Sequence, residues 1–145
     1  MSMKINVVID TSGSMAEEDK NAVIKYVLNT ICGLDLGNVE FSFFQLGTQT
    51  KKLENITKEK LMFGGAFRGS AIDELKAILE NEAPIILLSD GNIETDIKSK
   101  LFSIENDIIP VWIGMDANIA CLEAIAKDKR VYSVPDVMQA VNSIF

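Results

Sequence analysis

Two stretches of this chain are apolar at consecutive positions, and they limit its possible folds more than any other feature. The first is Ile85–Leu88 and the second is Ile108–Ile113. A strand with one face in solvent alternates apolar and polar residues, whereas a parallel strand covered by helices on both faces is apolar throughout. The two runs therefore predict buried parallel strands in an α/β protein with helices on both faces of one sheet.

Short apolar strands alternate with amphipathic helices along the chain, which is the pattern of a doubly wound sheet. We predict a mostly parallel sheet of about six strands with one antiparallel edge strand. The segment after Gly47 is polar enough for a sheet edge, so we expect a hairpin that turns there. The predicted strands are 4–10, 39–46, 49–54, 84–90, 107–113 and 130–134. The predicted helices are 15–32, 70–81, 95–105, 117–128 and 135–144.

Length and composition indicate a single globular domain over residues 1–145. This is a usual size for one hydrophobic core, and the chain has the 48% hydrophobic and 24% charged residues of an ordinary folded protein. No apolar stretch reaches the length of a membrane span, and the first residues lack the long apolar region of a signal peptide. We therefore expect a cytoplasmic protein that does not bind membranes.

The net charge and the absence of histidine disfavour several classes of function. The net charge of −7 disfavours nucleic acid and anionic lipid, because both are bound by an excess of Lys and Arg. The chain has no histidine, so it lacks the commonest general base and zinc ligand. Its cysteines, Cys32 and Cys121, lack the spacing of a zinc site and are interpreted as buried thiols. We expect that the protein is not an enzyme.

Oxygen-bearing side chains follow two of the predicted strands at the points where the strands end. Asp10, Ser12 and Ser14 alternate directly after an apolar run, and Asp90 ends the run that begins at Ile85. In doubly wound sheets, ligands bind beyond the carboxyl ends of the strands. Carboxylate and hydroxyl oxygens suit Mg²⁺ better than zinc or copper. The sequence therefore predicts a cleft that holds a Mg²⁺-type metal.

Some of these side chains also have simpler interpretations. Ser14 fits a capping box at the start of the first helix. Ser70 lies where it could reach the same cleft, but it fits a cap of the second helix better. Arg68 could neutralise either buried carboxylate through charge-assisted hydrogen bonds, with no metal present.

Three segments together resemble the von Willebrand factor type A (vWA) domain. The Asp-x-Ser-x-Ser pattern that begins at Asp10 is similar to the metal-ion-dependent adhesion site of that family. The segment Pro84–Gly91 is similar to its strand-Thr-Asp-Gly element, with Ser89 in place of threonine. Pro110–Asp116, followed by Leu122–Ala126, resembles its late strand, glycine and helix. The resemblance implies the Rossmann-like vWA fold, in a small stand-alone intracellular form.

The resemblance also implies roles for the candidate ligands. Ser12 and Ser14 would bind the metal directly, while Asp10 and Asp90 would hold its waters and orient the hydroxyls. The family carries a threonine after a Gly-Gly pair, and this chain has Ala66 there, which offers no oxygen. The adhesion site is therefore incomplete. The remaining coordination position of the metal would take a carboxylate from a partner.

We interpret the chain as a protein-binding module that recognises an Asp or Glu of a partner protein through Mg²⁺ or Mn²⁺. The resemblance implies an adaptor for an AAA-type ATPase, or a component of a stress or conflict system. The alternative is a metal-free, degenerate scaffold that binds through its surface. A Mg²⁺-dependent hydrolase or phosphatase is less favoured, because no positioned base or nucleophile is visible. The residues expected at the partner-binding rim are Met15, Gly65, Ala66, Phe67, Arg68, Gly91 and Asn92.

Overall fold

The apolar runs form two neighbouring strands of a sheet that helices cover on both faces. The structure, a computed structural model, describes residues 3–34, 37–54, 61–79 and 82–144. The strands are β1 (Met3–Asp10), β2 (Val39–Leu46), β3 (Thr50–Leu53), β4 (Ile85–Ser89) and β5 (Ile108–Trp112). They lie in the order β3-β2-β1-β4-β5, and all neighbouring pairs are parallel except β2 and β3. The predicted α/β fold with one antiparallel edge strand is confirmed.

The two edges of the sheet differ from its parallel centre. The predicted hairpin forms, because β3 pairs with β2 in antiparallel fashion and Leu46 lies opposite Thr50. At the other edge, the strand predicted at 130–134 is reduced to one parallel bridge between Tyr132 and Val111. A short 3-10 helix begins at Val134, so the ladder does not continue. The described residues therefore form five strands instead of about six.

The helices cover the sheet and are all shorter than predicted. They are α1 (Glu18–Cys32), α2 (Gly69–Ile78), α3 (Thr95–Phe102), α4 (Ile119–Ile125) and α5 (Val137–Asn142). Short 3-10 helices at Gly13–Ala16 and Val134–Asp136 replace the predicted first turns of α1 and α5. The predicted end of α2, at residues 80–81, lies outside the described residues. Within the described part of the chain, no helix combines the length and the apolarity needed to cross a bilayer.

The predicted helix cap at Ser70 is wrong. α2 begins one residue earlier, at Gly69, so Ser70 lies inside the first turn and its side chain is exposed. Arg68 occupies the cap position with extended backbone, and its side chain makes no capping hydrogen bond.

The side chains of β1 are buried on both faces of the sheet. Val7 and Ile9 pack in one hydrophobic cluster with α1 and α5, where Ile24 is buried. Val8 packs in the opposite cluster with α2, α3 and α4, where Ile72 is buried. Each fully buried aliphatic side chain of this kind contributes about 1.5–3 kcal/mol. A slip of one residue would exchange the two sets, so the packing fixes where β1 ends.

Gly91 forms the turn by which the chain leaves β4, and it packs against the start of α4. Its φ is +73°, and a Cβ placed on it would lie 2.4 Å from the carbonyl oxygen of Asn118. Gly37 has a similar φ of +65°, but a Cβ there would meet nothing within 4 Å. Comparing substitutions at the two glycines therefore separates the cost of the left-handed backbone from the cost of the clash with Asn118.

Gly91→Ala should destabilise the protein more than Gly37→Ala does. The left-handed backbone costs an alanine about 1–2 kcal/mol at either position. The clash with α4 should add about 1–3 kcal/mol at Gly91 alone. Urea unfolding of both variants measures the difference in the free energy of unfolding. Equal losses would mean that the turn at Gly91 is not packed tightly against α4.

Candidate metal centre

Two neighbouring strands bring the candidate acids to one edge of the sheet. Asp10 is the last residue of β1, and Asp90 directly follows β4. These strands pair in parallel, with Ile9 opposite Leu88, so their carboxyl ends lie side by side. Both carboxylates are 0% exposed. Buried charges this close together must be compensated within the protein or by a ligand.

Asp10 is held by three hydrogen bonds. Its Oδ1 accepts from the amide of Ser12 at 2.9 Å and from the Ser12 hydroxyl at 2.6 Å. Its Oδ2 accepts from the Ser89 hydroxyl at 2.6 Å, and Ser89 Oγ accepts in turn from the amide of Gly91 at 3.0 Å. Burial raises the pKa of Asp10, the nearby charge of Asp90 adds to this, and the bonds from Ser12 and Ser89 offset it only in part.

The hydroxyls of the two serines in the motif, Ser12 and Ser14, differ in their hydrogen bonding. Ser12 is buried and its hydroxyl is committed to Asp10. The Ser14 hydroxyl is also buried, but it has no hydrogen-bond partner. It lies close enough to Asp90 to help lower the pKa of that carboxyl, yet outside the geometry of a regular hydrogen bond. The predicted capping box does not form, because α1 is preceded by Glu17 with no side-chain cap.

Lys20 of α1 lies in the cleft, and it is the functional residue that the sequence-based prediction missed. Only 2% of the residue is exposed. Its ammonium donates to Asp90 Oδ2 at 2.9 Å, to the carbonyl oxygen of Ser14 at 3.0 Å and to Asp116 Oδ2 at 3.1 Å. These three bonds use all three of its protons. Glu17 adds a longer ionic contact at 3.7 Å.

The pKa values of Lys20 and Asp90 both favour the ion pair. Burial alone would lower the pKa of Lys20, but the contacts with Asp90 and Asp116 outweigh it and raise that pKa. Burial alone would raise the pKa of Asp90, but the amide of Asn92 and the ammonium of Lys20 outweigh it and lower that pKa. Both groups are therefore charged at neutral pH.

The sequence contains a signal for Lys20 in the spacing of α1. Lys20, Ile24, Val27 and Ile31 are all buried residues of that helix, and their spacing places them on one helical stripe. A lysine on an inward-facing stripe needs an anionic partner. Gly114 makes room for it, because a Cβ at that position would lie 2.7 Å from Lys20 Cε.

The middle loop is fixed against the serine motif by its backbone. Gly64 donates its amide to the carbonyl oxygen of Thr11 at 3.0 Å, and Gly13 donates to the carbonyl oxygen of Gly65 at 2.8 Å. The hydroxyl of Thr48 also donates to the carbonyl oxygen of Ala66 at 3.1 Å. Ala66 is exposed beside the cleft and has no side-chain oxygen for a metal.

Two of the predicted rim residues are buried, and the alternative role predicted for Arg68 is wrong. Met15 is 0% exposed and packs in the cluster beneath α1, so it belongs to the core. Gly91 is buried against the start of α4. Arg68 is exposed and makes no ion pair with Asp10 or Asp90, so the predicted alternative pairing through Arg68 is wrong. Lys20 supplies the cation instead. The other predicted rim residues, Gly65, Ala66, Phe67 and Asn92, are exposed or half-buried.

The donors at this point fit a hard divalent cation, although the set is incomplete. The described residues contain no cluster of three His, Cys, Asp or Glu side chains that could hold a metal, so serine hydroxyls would have to take part. Ser14 offers a buried hydroxyl oxygen without a partner, and Asp10 and Ser12 lie beside it in the same turn. Oxygen donors of this kind, completed by water, suit Mg²⁺ or Mn²⁺.

Comparison with known proteins establishes the fold. No protein-family model matches the chain, and no curated protein is significantly similar to it. A variant, with multiple mutations to serines, of an aerotolerance-related membrane protein from Bacteroides fragilis is 14% identical, with a TM-score of 0.70, over 99% of this chain and 98% of that one. Manganese-loaded TRAP protein from Plasmodium vivax is 15% identical, with a TM-score of 0.72, over 99% and 73%.

A third similar structure carries the name of the fold. It is a von Willebrand factor type A protein from Catenulispora acidiphila, 18% identical with a TM-score of 0.62. The match covers 99% of this chain but only 41% of that one, so this chain spans less than half of its length. The chain therefore has a vWA-like fold, and the solved structures that share this fold include one loaded with a divalent metal.

Replacing the Asp10 carboxylate by an amide should change how stability depends on pH. Because burial raises the pKa of Asp10, the folded protein binds a proton there more readily than the unfolded chain does. In the absence of metal, ionisation of Asp10 therefore lowers the free energy of unfolding with rising pH. The loss begins at about 3.9, the ordinary pKa of an Asp in the unfolded chain, and continues through the raised pKa of the folded state. Asp10→Asn should remove this loss, so its free energy of unfolding relative to the unmodified protein should increase with pH.

Urea unfolding in chelator between about pH 4 and about pH 8 measures the effect. Asp107→Asn is a suitable control, because Asp107 is exposed and lies before β5, at the opposite end of the strand from the cleft. A difference between Asp10→Asn and the unmodified protein that stays constant with pH would contradict the raised pKa.

Proposed function

We propose that this protein is a non-enzymatic protein-binding module of the vWA type that recognises an Asp or Glu side chain of a partner protein. Ser12 and Ser14 would hold Mg²⁺ or Mn²⁺ directly, with Asp10 and Asp90 holding its waters. When bound, the metal supplies a coordination position that a partner carboxylate can take. The observation that carries this proposal is the buried Ser14 hydroxyl, which makes no regular hydrogen bond although it lies close to the Asp90 carboxylate.

The chemistry of the cleft supports binding more than catalysis. Asp10 accepts three hydrogen bonds and has no oxygen left without a donor. Lys20 is charged and holds three partners, so it is not poised as a base. The chain has no histidine to take that role. Groups fixed in this way position a ligand, whereas a hydrolase needs a base or nucleophile within reach of its substrate.

Exposed groups around the cleft can form the surface that meets the partner. Gly65, Ala66 and Asn92 surround it and are exposed. The fixed backbone of the middle loop would present this surface without a large ordering cost on binding. An adaptor role for an AAA-type ATPase, or within a stress system, is part of the proposal and rests on the resemblance of the sequence alone.

A metal-free scaffold is the second candidate, and one observation favours it. The Lys20 ammonium already neutralises Asp90 at 2.9 Å, so the cleft is partly compensated without a metal. In that case partners would bind to the surface of the module, and the cleft would be structural. The two candidates differ in whether metal binding stabilises the protein.

Calorimetric titration of Mg²⁺ or Mn²⁺ into the chelator-treated protein tests the proposal. Metal at about 100 times its Kd should raise the free energy of unfolding by about 2.7 kcal/mol. Ser14→Ala removes a proposed direct ligand and should weaken binding by at least about 10-fold, since losing even an outer-shell partner costs that much. Ser70→Ala is the matched control, since Ser70 is an exposed serine on α2, and it should bind normally. Absence of binding at millimolar metal would leave the metal-free scaffold as the function.

Recognition of a partner carboxylate is tested by capture from an extract of the source organism. The partner should be retained by the unmodified protein with Mg²⁺ and lost with EDTA or with Ser14→Ala, while Ser70→Ala should retain it. In the purified partner, one Asp→Asn or Glu→Gln change should weaken binding by about 30-fold or more, since losing that contact costs about 2 kcal/mol or more. A partner that is retained equally under all of these conditions would rule out metal-bridged recognition.

A further inference from the structure

The ammonium of Lys20 lies where a divalent metal would need the charge of Asp90. Asp90 has two oxygens, and both already have partners: Oδ2 accepts from Lys20 at 2.9 Å and Oδ1 accepts from the amide of Asn92 at 3.0 Å. The same ammonium donates to the backbone carbonyl of Ser14, whose hydroxyl is a proposed ligand. A divalent cation bound at this hydroxyl would therefore lie close to the positive charge of Lys20.

We infer that Lys20 is a tethered cation that competes with the divalent metal for Asp90. It stabilises the metal-free cleft and weakens metal binding, so that the metal exchanges with solution and is not held permanently. Two positive charges repel each other strongly where water is largely excluded. This inference rests on the proposed function, because it concerns the same metal site.

The surroundings of Lys20 allow the ammonium to move away from Asp90 without losing every anionic partner. Asp116 Oδ1 lies 3.0 Å from Nζ, and Glu17 Oε2 lies 3.7 Å from it. The side chains of Asp116 and Glu17 are 55% and 64% exposed, so both are placed on the solvent side of the ammonium. A lysine that leaves Asp90 can therefore pair with these carboxylates at the mouth of the cleft. Gly114 keeps the space beside its stem open.

Lys20→Met tests the inference, because methionine preserves much of the apolar stem and removes the charge. Metal affinity measured by calorimetry should rise by at least about tenfold, since the repelling charge is gone. In chelator, this variant should melt at a lower temperature than the unmodified protein, and added Mg²⁺ should restore much of the loss. Lys25→Met is the matched control, because Lys25 is an exposed lysine of the same helix, and it should change neither quantity.

A second pair of variants decides the case if Lys20→Met does not fold. Asp116→Asn removes the outer partner of Lys20 and should hold the ammonium more firmly at Asp90, so metal affinity should fall several-fold. Asp19→Asn removes a nearby exposed carboxylate that has no ion pair with Lys20 among the described contacts, and it should have little effect. Equal metal affinities for these two variants would overturn the inference.

The outcomes separate this inference from the proposed function. If the unmodified protein and Lys20→Met bind metal equally well, Lys20 does not compete and the proposed function still stands. If only Lys20→Met binds metal, the inference holds and the native protein acts as the metal-free scaffold. If neither protein binds metal, both the inference and the metal-dependent function are wrong.

Discussion

Two carboxylates buried side by side are the constraint on which the rest of the site depends. Asp10 and Asp90 lie at the strand ends and have no contact with water. Charges in such a place must be paired or hydrogen-bonded. Asp10 is compensated by hydroxyls and an amide, whereas Asp90 is compensated by an ammonium and an amide. The turns beyond β1, β4 and β5 have the shapes that put these partners in place.

The layered fold could be predicted from the sequence, because it depends on patterns that are local and repeated. Consecutive apolar residues such as Ile85–Leu88 can be buried only between two layers of helices, and Val7 and Val8 do face opposite clusters. The ends of the elements could not be predicted in the same way. The segment before α1 is a 3-10 helix, and the amide of Gly13 in it is bonded to Gly65 of the middle loop, which is a tertiary contact. The helix at Gly69 starts without its predicted cap for a similar reason, since the amide of Arg68 is bonded to Gly47.

The candidate site was predictable where topology alone determines it. Strands that run in parallel place their carboxyl ends together, so Asp10 and Asp90 had to meet once β1 and β4 were neighbours. Which residue supplies the cation could not be predicted in this way. Arg68 was the candidate because it lies close in sequence to the position where a threonine was expected. The identity of the cation depends on how α1 crosses the sheet, and that crossing directs Lys20 toward the end of β4. A charged residue on the buried stripe of a helix is the better guide.

The unequal compensation of the two acids explains how one cleft can be both stable and open to a ligand. A cleft whose polar groups all have permanent partners has nothing to offer a ligand, and a cleft with none would be too costly to fold. Here the bonds to Asp10 come from rigid neighbours in the same turns, so that carboxylate stays in position. The partner of Asp90 is the end of a long, flexible side chain that has other carboxylates within reach. The Ser14 hydroxyl, close to Asp90, makes no regular hydrogen bond. A cation that binds here in the proposed way would engage the Ser14 hydroxyl and compete with Lys20 for Asp90, so the lysine would set how tightly the cleft holds its ligand.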